Sequence, residues 1–209
     1  TCALPIYEDD SLVQKPGMLE VSHVSFGYPG REKIYEDFNL SAFPGQIIGV
    51  TGAVACGKST LGKTFLCEYP YEGRIRFHGK ELSEMTKAER TGMIGYLGHD
   101  PELFNDSVRN NILLGDDDDP EKYLKAVCFD GEVAEMEEGM DTIVGNGGVR
   151  LSGGQAQRLA LARTLCHKRP VLILDDPFSA LDRKTEEEVF ANLRKFTADS
   201  IVILLSHRL

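Results

Sequence analysis

Apolar residues in this sequence gather into short runs divided by glycine, proline and acidic stretches. Ile47-Ile48-Gly49-Val50, Val171-Leu172-Ile173-Leu174 and Ile201-Val202-Ile203-Leu204-Leu205 are short and almost purely apolar, the pattern of strands, with 171–174 expected to be a buried parallel one. Nearer the start, Leu19, Val21 and Ser25 alternate with Val24, Phe26 and Tyr28, which predicts a strand ending at Pro29-Gly30. Ile34 to Phe43 predicts a second strand, closed by the Pro44-Gly45 turn, and Gly73 to Gly79 a third between glycines. Thr91 to Leu97 is a further apolar run, Gly92-Met93-Ile94-Gly95-Tyr96-Leu97, followed by His99-Asp100-Pro101-Glu102-Leu103-Phe104.

Helical patterns lie between these strands. One helix is expected over about Gly57 to Cys67, and the region from about Ser107 to Gly139 has helical character. Asp116 to Asp119 followed by Pro120 makes an acidic helix start, a solvated cap rather than a metal site because nothing nearby completes a coordination shell. A long amphipathic helix opens at Leu151-Ser152-Gly153-Gly154-Gln155, with Leu159, Leu161, Ala162 and Leu165 at helical spacing. Glu8 to Gly17 is acidic and aperiodic, a linker.

The strongest chemical signal stands between the strand at Ile47 and the helix opening at Gly57. Gly52 and Gly57 bracket four residues and are followed by Lys58 and Ser59, the G-x-x-x-x-G-K-[ST] pattern. Glycine admits positive φ and lets backbone N–H groups approach a phosphate, and the following helix adds its unpaired amides. Gly52, Ala53, Val54, Ala55, Cys56, Gly57, Lys58, Ser59 and Thr60 are therefore expected around a nucleotide's phosphates. Lys58 would reach the β- and γ-phosphates, and the Ser59 hydroxyl would bind Mg²⁺.

Four further features carry candidate chemistry. Gly153-Gly154 at a helix start makes a second anion site, which one small anion rarely needs. Asp175-Asp176 closes a strand where carboxylates are placed to hold Mg²⁺ and orient water. His207, also at a strand end, either reaches a γ-phosphate or is structural. Tyr28 either stacks on an adenine face or packs on its own sheet.

Composition narrows the rest. At 209 residues the chain can bury a substantial core, as one domain or as a domain with a subdomain. No apolar run approaches the roughly 20 residues of a membrane-spanning helix, and no secretory signal pattern is present. The net charge of −10 argues against a primary nucleic-acid surface. Five cysteines without C-x-x-C spacing point to a reducing compartment. Thr1 to Ile6 looks foreign: ACG TGT GCT CTT CCG ATC, the end of a common sequencing adapter, translates to that hexapeptide. The natural protein is then expected to extend further N-terminally, with Leu209 a cut as well.

Taken together, these pieces resemble the nucleotide-binding domain of an ATP-binding cassette (ABC) transporter, from Leu19 to Leu209. Leu151-Ser152-Gly153-Gly154-Gln155, followed by Gln157-Arg158, matches that family's signature. Gly52 to Ser59 matches its Walker A motif, Val171 to Asp175 Walker B and Ser179-Ala180-Leu181-Asp182 the D-loop. His207 matches the switch histidine and Tyr28 the adenine-stacking aromatic. Thr142-Ile143-Val144-Gly145 and the D-P-x-L-F pattern at Asp100 to Phe104 resemble the exporter subclass. The resemblance implies an α/β fold: a P-loop NTPase core with a mainly parallel sheet, an N-terminal antiparallel β-subdomain and a helical signature subdomain. It implies a linker over 1–17 and the domain over 18–209, with the helical subdomain at about 105–165. It also implies two such domains paired head to tail around two ATP molecules, with Ser152, Gly153, Gly154 and Gln155 serving the partner's nucleotide. The expected further partner is a membrane domain, fused or separate, which places this chain at the cytoplasmic face of the membrane.

Two positions depart from the family pattern. Asp176 stands where a glutamate ordinarily polarises the attacking water, and its carboxylate is one methylene shorter. His99 replaces a glutamine that touches Mg²⁺, and a protonated histidine is a poor neighbour for that ion. With Lys58, Asp176 and His207 as the catalytic set and Ser59, His99 and Asp175 around the metal, both departures weaken the same site. The leading expectation is the ATP-hydrolysing motor of an exporter, as one half of a heterodimer. The alternatives are a subunit that clamps ATP with little hydrolysis, and a soluble ABC ATPase acting on DNA or ribosomes, which the acidic charge disfavours.

Overall fold

The computed structural model describes residues 17–28, 30–53 and 56–207. The readings placed on Thr1 to Pro16, on Pro29, on Val54 and Ala55, and on Leu209 lie outside the described residues.

Along the chain, β1 (Leu19–Phe26), β2 (Tyr35–Ala42) and β3 (Ile47–Thr51) lead to helix α1 (Lys58–Thr64). β4 (Glu72–Phe77), β5 (Lys80–Glu81), α2 (Lys87–Met93) and β6 (Ile94–Leu97) follow. Next come β7 (Asp106–Ser107), α3 (Val108–Leu113), α4 (Pro120–Ala126), α5 (Asp130–Ala134) and β8 (Ile143–Val144). The chain ends through α6 (Gly153–Cys166), β9 (Val171–Asp175), α7 (Arg183–Phe196) and β10 (Ile201–Ser206). β2-β1-β4-β5 form an antiparallel sheet, β3-β10-β9-β6 a parallel one, and β7-β8 a short antiparallel ladder.

The parallel sheet positions the site. Ser206 pairs with Thr51, Leu205 with Asp175, and Leu97 with Leu174, so the carboxyl ends of all four strands lie along one edge. Loops leaving that edge are where open α/β sheets bind ligands. Every residue of β9 and β10 is buried, while Ile47 and Ile48 of β3 are only half-buried because β3 is the sheet's edge strand. Leu172, Leu174, Val202 and Leu204 face a cluster built with the helices, including Leu159, Ala162 and Leu165 of α6. Val171, Ile173, Ile201, Ile203 and Leu205 face the opposite cluster, with Leu61 and Phe65 beside α1 and Ile75 and Phe77 of β4. Truncating one of these central leucines to alanine costs about 2–5 kcal/mol.

Three local expectations are corrected. The apolar run at Thr91 to Leu97 is split, because Thr86 and Glu89 form a reciprocal capping box that carries α2 through Met93 before the strand starts at Ile94. α6 is buried on most of its circumference rather than amphipathic, with even Gln157 and Arg158 enclosed, because it sits between the sheet and α3 and α4. α1 is shorter than the expected Gly57 to Cys67 span. Asp119 does cap α4, with Pro120 in its first turn.

Candidate functional site

The phosphate loop leaves β3 at the exposed Thr51 and re-enters regular structure at Gly57, whose φ of 97° lies in the left-handed region that favours glycine. A Cβ there would stand 2.2 Å from Ile34 Cγ2, so a side chain would have to displace Ile34 as well as adopt a strained φ. Lys58 folds back over the loop: Nζ donates to the carbonyls of Gly52 at 2.7 Å and Ala53 at 2.8 Å, and lies 3.8 Å from Cys56 Sγ. Ser59 is exposed on the first turn of α1, beside the half-buried Thr60. Val54 and Ala55, expected in the loop, lie outside the described residues.

At the neighbouring strand ends the structure brings four expected residues together. Asp175 is 3% exposed and accepts a hydrogen bond from the Tyr96 hydroxyl at 3.2 Å. Burial, reinforced by the Asp175 charge, raises the Tyr96 pKa well above the ordinary phenol value, so this hydroxyl remains a donor. Asp176 has φ 51°, a left-handed conformation that aspartate adopts more readily than most residues, and its N–H donates to the Leu205 carbonyl at 2.7 Å. Its side chain is gripped at both oxygens. Ser206 Oγ donates to Oδ1 at 3.3 Å, and His207 Nδ1 lies 2.7 Å from Oδ2. His99 Nδ1 stands 4.0 Å from that same Oδ2. The segment after His99 is pinned to the helices: Asn111 bonds both the N–H and the carbonyl of Phe104, and Arg163 Nη2 donates to the Glu102 carbonyl.

Magnesium prefers hard oxygen donors. The Ser59 hydroxyl and the buried Asp175 carboxylate fit that preference. His99 offers a nitrogen and faces Asp176, so its link to the site runs through that carboxylate.

Ser152 to Gln155 form a separate surface. Among the described residues they share no hydrogen bond with Gly52, Ala53 or Cys56 to Thr60. Ser152 caps α6 in a reciprocal box: the Gln155 N–H donates to Ser152 Oγ at 3.3 Å, and the Ser152 N–H to Gln155 Oε1 at 2.8 Å. Gly154 needs its missing side chain, because a Cβ would meet the Ala180 carbonyl at 2.9 Å; a Cβ on Gly153 would meet nothing within 4 Å. Tyr28 is half-buried, edge-on to Phe26 and to the largely exposed Tyr69, at centroid distances of 5.1 Å and 5.5 Å. Both readings of its ring remain compatible with that packing.

Sequence reasoning missed Tyr96, Ser206, Arg163 and Glu132, which support these groups from a distance along the chain. Each is paired only by the sheet order or by helix packing, so no local motif marks it.

Comparison with known proteins supplies the family. The sequence model described as ABC transporter matches residues 35–179. The probable multidrug resistance ABC transporter ATP-binding/permease protein YheI of Bacillus subtilis is 36% identical over 203 residues, covering 94% of this chain and 35% of that protein. The ATP-dependent lipid A-core flippase of Pseudomonas aeruginosa is 38% identical over 212 residues, covering 97% of this chain and 35% of its own length. A bacterial Atm1-family ABC exporter with ATP bound superimposes with a TM-score of 0.85 at 31% identity, over 94% of this chain and 36% of that one. The chain thus spans about a third of the length of these relatives. It belongs to the ABC transporter family, with the fold of an exporter-type nucleotide-binding domain.

Proposed function

We propose that this chain is the ATP-binding motor of an ABC exporter, paired head to tail with a second, non-identical nucleotide-binding domain, and that its own Walker site hydrolyses ATP slowly. The observation that carries the reading is Asp176, whose short side chain is drawn toward Ser206 and His207 by one contact at each oxygen and is only 15% exposed. A carboxylate that must orient water needs an oxygen placed against that water, and positioning dominates phosphoryl-transfer catalysis. Asp176 is short and held back at the strand edge, so it is poorly placed for that task. The signature, by contrast, is intact and prebuilt, fit to serve the ATP of the opposite domain.

In this reading Lys58 exchanges the carbonyls of Gly52 and Ala53 for the β- and γ-phosphates as ATP enters. Mg²⁺, held by Ser59 and Asp175, would neutralise charge on those phosphates. Tyr96 fixes the Asp175 carboxylate, and His207 holds Asp176 while facing the terminal phosphate. Tyr28 lends its ring to the adenine. Phe104 (57% exposed), Ile143 (42%) and Val149 (50%) are large apolar side chains left in solvent. Their segments are joined, since the Val149 N–H donates to the Ile143 carbonyl and the Phe104 carbonyl lies against Gly145. That surface supports docking of an exporter's membrane domain, with this chain at the cytoplasmic face. Among the described residues no helix is long and apolar enough to cross a membrane.

Single-turnover hydrolysis at this chain's Walker site tests the reading, in a complex whose partner lacks its phosphate-loop lysine. The expected rate is about tenfold or more below that of the intact pair. A rate equal to the intact pair's would refute the slow site, and no measurable hydrolysis with tight ATP binding would favour the clamp alternative.

A further inference from the structure

Gln155, the last signature residue, has both of its side-chain polar atoms paired within the chain. Oε1 accepts from the Ser152 N–H at 2.8 Å, and Nε2 donates to Glu132 Oε2 at 2.7 Å. The other Glu132 oxygen accepts from Arg158 Nη2 at 2.6 Å. Arg158 reaches onward, giving Nη1 to the Cys128 carbonyl at 2.6 Å and Nε to the Gly154 carbonyl at 3.3 Å, with its guanidinium 4.9 Å from the Phe129 ring centroid. One carboxylate on α5 thus ties down both the side chain that closes the capping box and the arginine that holds Gly154. Phe129, at the start of α5, is fully buried, so the anchor itself is rooted in the core.

We propose that Glu132 is a positioning residue for the signature: it orients Ser152, Gly153 and Gly154 toward the partner's ATP through Gln155 and Arg158, and Gln155 acts as a relay rather than a nucleotide contact. The proposal rests on the head-to-tail reading above. The Glu132 side chain is 42% exposed against 11% for Arg158, and the enclosed arginine keeps the Cys128 and Gly154 carbonyls and the Phe129 ring when the carboxylate is replaced. The effect of Glu132 is local, on the first turn of α6.

The chemistry supplies its own test. In Glu132→Gln the amide oxygen can accept from Arg158, but its NH₂ then faces the NH₂ of Gln155, donor against donor. Adding Gln155→Glu restores the match, because the amide at 132 donates to the carboxylate at 155, which still accepts from the Ser152 N–H. Gln155→Glu alone sets carboxylate against carboxylate. Three quantities are measured: amide exchange at 152, 155 and 156 corrected for intrinsic rates, ATP affinity of this chain's own site, and ATPase of the assembled transporter. Each single variant is expected to speed exchange and lower the ATPase by about tenfold while leaving ATP affinity within about twofold. The double variant is expected to restore both.

Unchanged exchange in Glu132→Gln, or a double variant no better than the singles, would overturn the anchor. Loss of ATP affinity at the chain's own site in the singles would show general damage and overturn it too. Exchange that follows the swap while the ATPase ignores every variant would instead sink the head-to-tail reading, and the proposed role with it.

Discussion

Two helix ends in this domain are proposed to meet anions, and they are finished in opposite ways. The start of α1 has a left-handed glycine at its cap with no side chain bonding its amides, and its lysine is spent on the loop's own carbonyls. The start of α6 is closed by a capping box, locked to α5 by Glu132 and Arg158, and packed against the Ala180 carbonyl. The first end must rearrange its cation when a phosphate arrives. The second is complete without any ligand and only needs one brought to it. In the proposed reading the remade loop takes its nucleotide from solution, and the preformed surface serves a nucleotide already mounted on another domain, at little cost in ordering.

The largest expected effects separate these roles. Lys58→Ala removes the compact positive charge over the phosphates and should weaken ATP binding about 100-fold in a fluorescent-nucleotide titration. Gly153→Asp should leave that affinity alone yet lower the ATPase of the assembled pair by about 100-fold or more, by setting an anion against the partner's γ-phosphate. The space around the Gly153 Cβ position is open and acidic residues suit a helix's first turn, so the fold should survive. If Gly153→Asp weakens this chain's own ATP binding, the two ends are not independent and the comparison fails.

A smaller effect concerns the loop's accessibility. Cys56 is exposed beside Lys58, whereas Cys67, Cys128 and Cys166 are partly enclosed. Burial, joined by the neighbouring Glu188, pushes the Cys128 thiol up to about 11, and burial also raises Cys67 and Cys166. Maleimide should therefore label Cys56 ahead of those three, with Mg-ATP slowing it about tenfold, as mapped by peptide mass spectrometry. Equal labelling with and without nucleotide would place Cys56 away from the bound phosphates.

Much of this contrast could be read from the sequence, for a physical reason. The groups at the carboxyl ends of β3, β9 and β10 each follow a short apolar run, so strand and site are written contiguously at Gly52, Asp175 and His207. The signature is likewise a local motif on a helix start. α2 was also legible in principle, because Thr86 and Glu89 have capping-box spacing, as was α7, where Asp182 caps a helix that buries Val189 and Leu193 one turn apart. What sequence reading could not reach is the second layer. Tyr96 meets Asp175 only because β6 lies beside β9, and Glu132 meets Gln155 and Arg158 only because α5 packs by α6. The burial of α6 on most of its circumference has the same origin: the sheet, α3 and α4 pack around its polar residues.

The smallest expected effect is the most informative about the division of labour. Asp176→Asn keeps the side chain's length and one carbonyl oxygen. Ser206 can still donate to that oxygen, and a neutral His207 can present an unprotonated Nδ1 to the new NH₂ by changing tautomer. Asparagine also tolerates the left-handed φ of 51° as readily as aspartate, so the backbone has no reason to move. The variant therefore removes one negative charge and little else. If most turnover occurs at the composite site made by the partner's Walker motifs and this chain's Ser152 to Gly154, steady-state ATPase of the co-purified pair should fall by no more than about threefold. ATP affinity at this chain's site should hold or tighten slightly, since an anion near the γ-phosphate has gone. A loss matching that of Gly153→Asp would mean that Asp176 orients water in a working site. The two helix ends would then contribute to two equally active sites, and the asymmetry drawn between them would be one of construction alone.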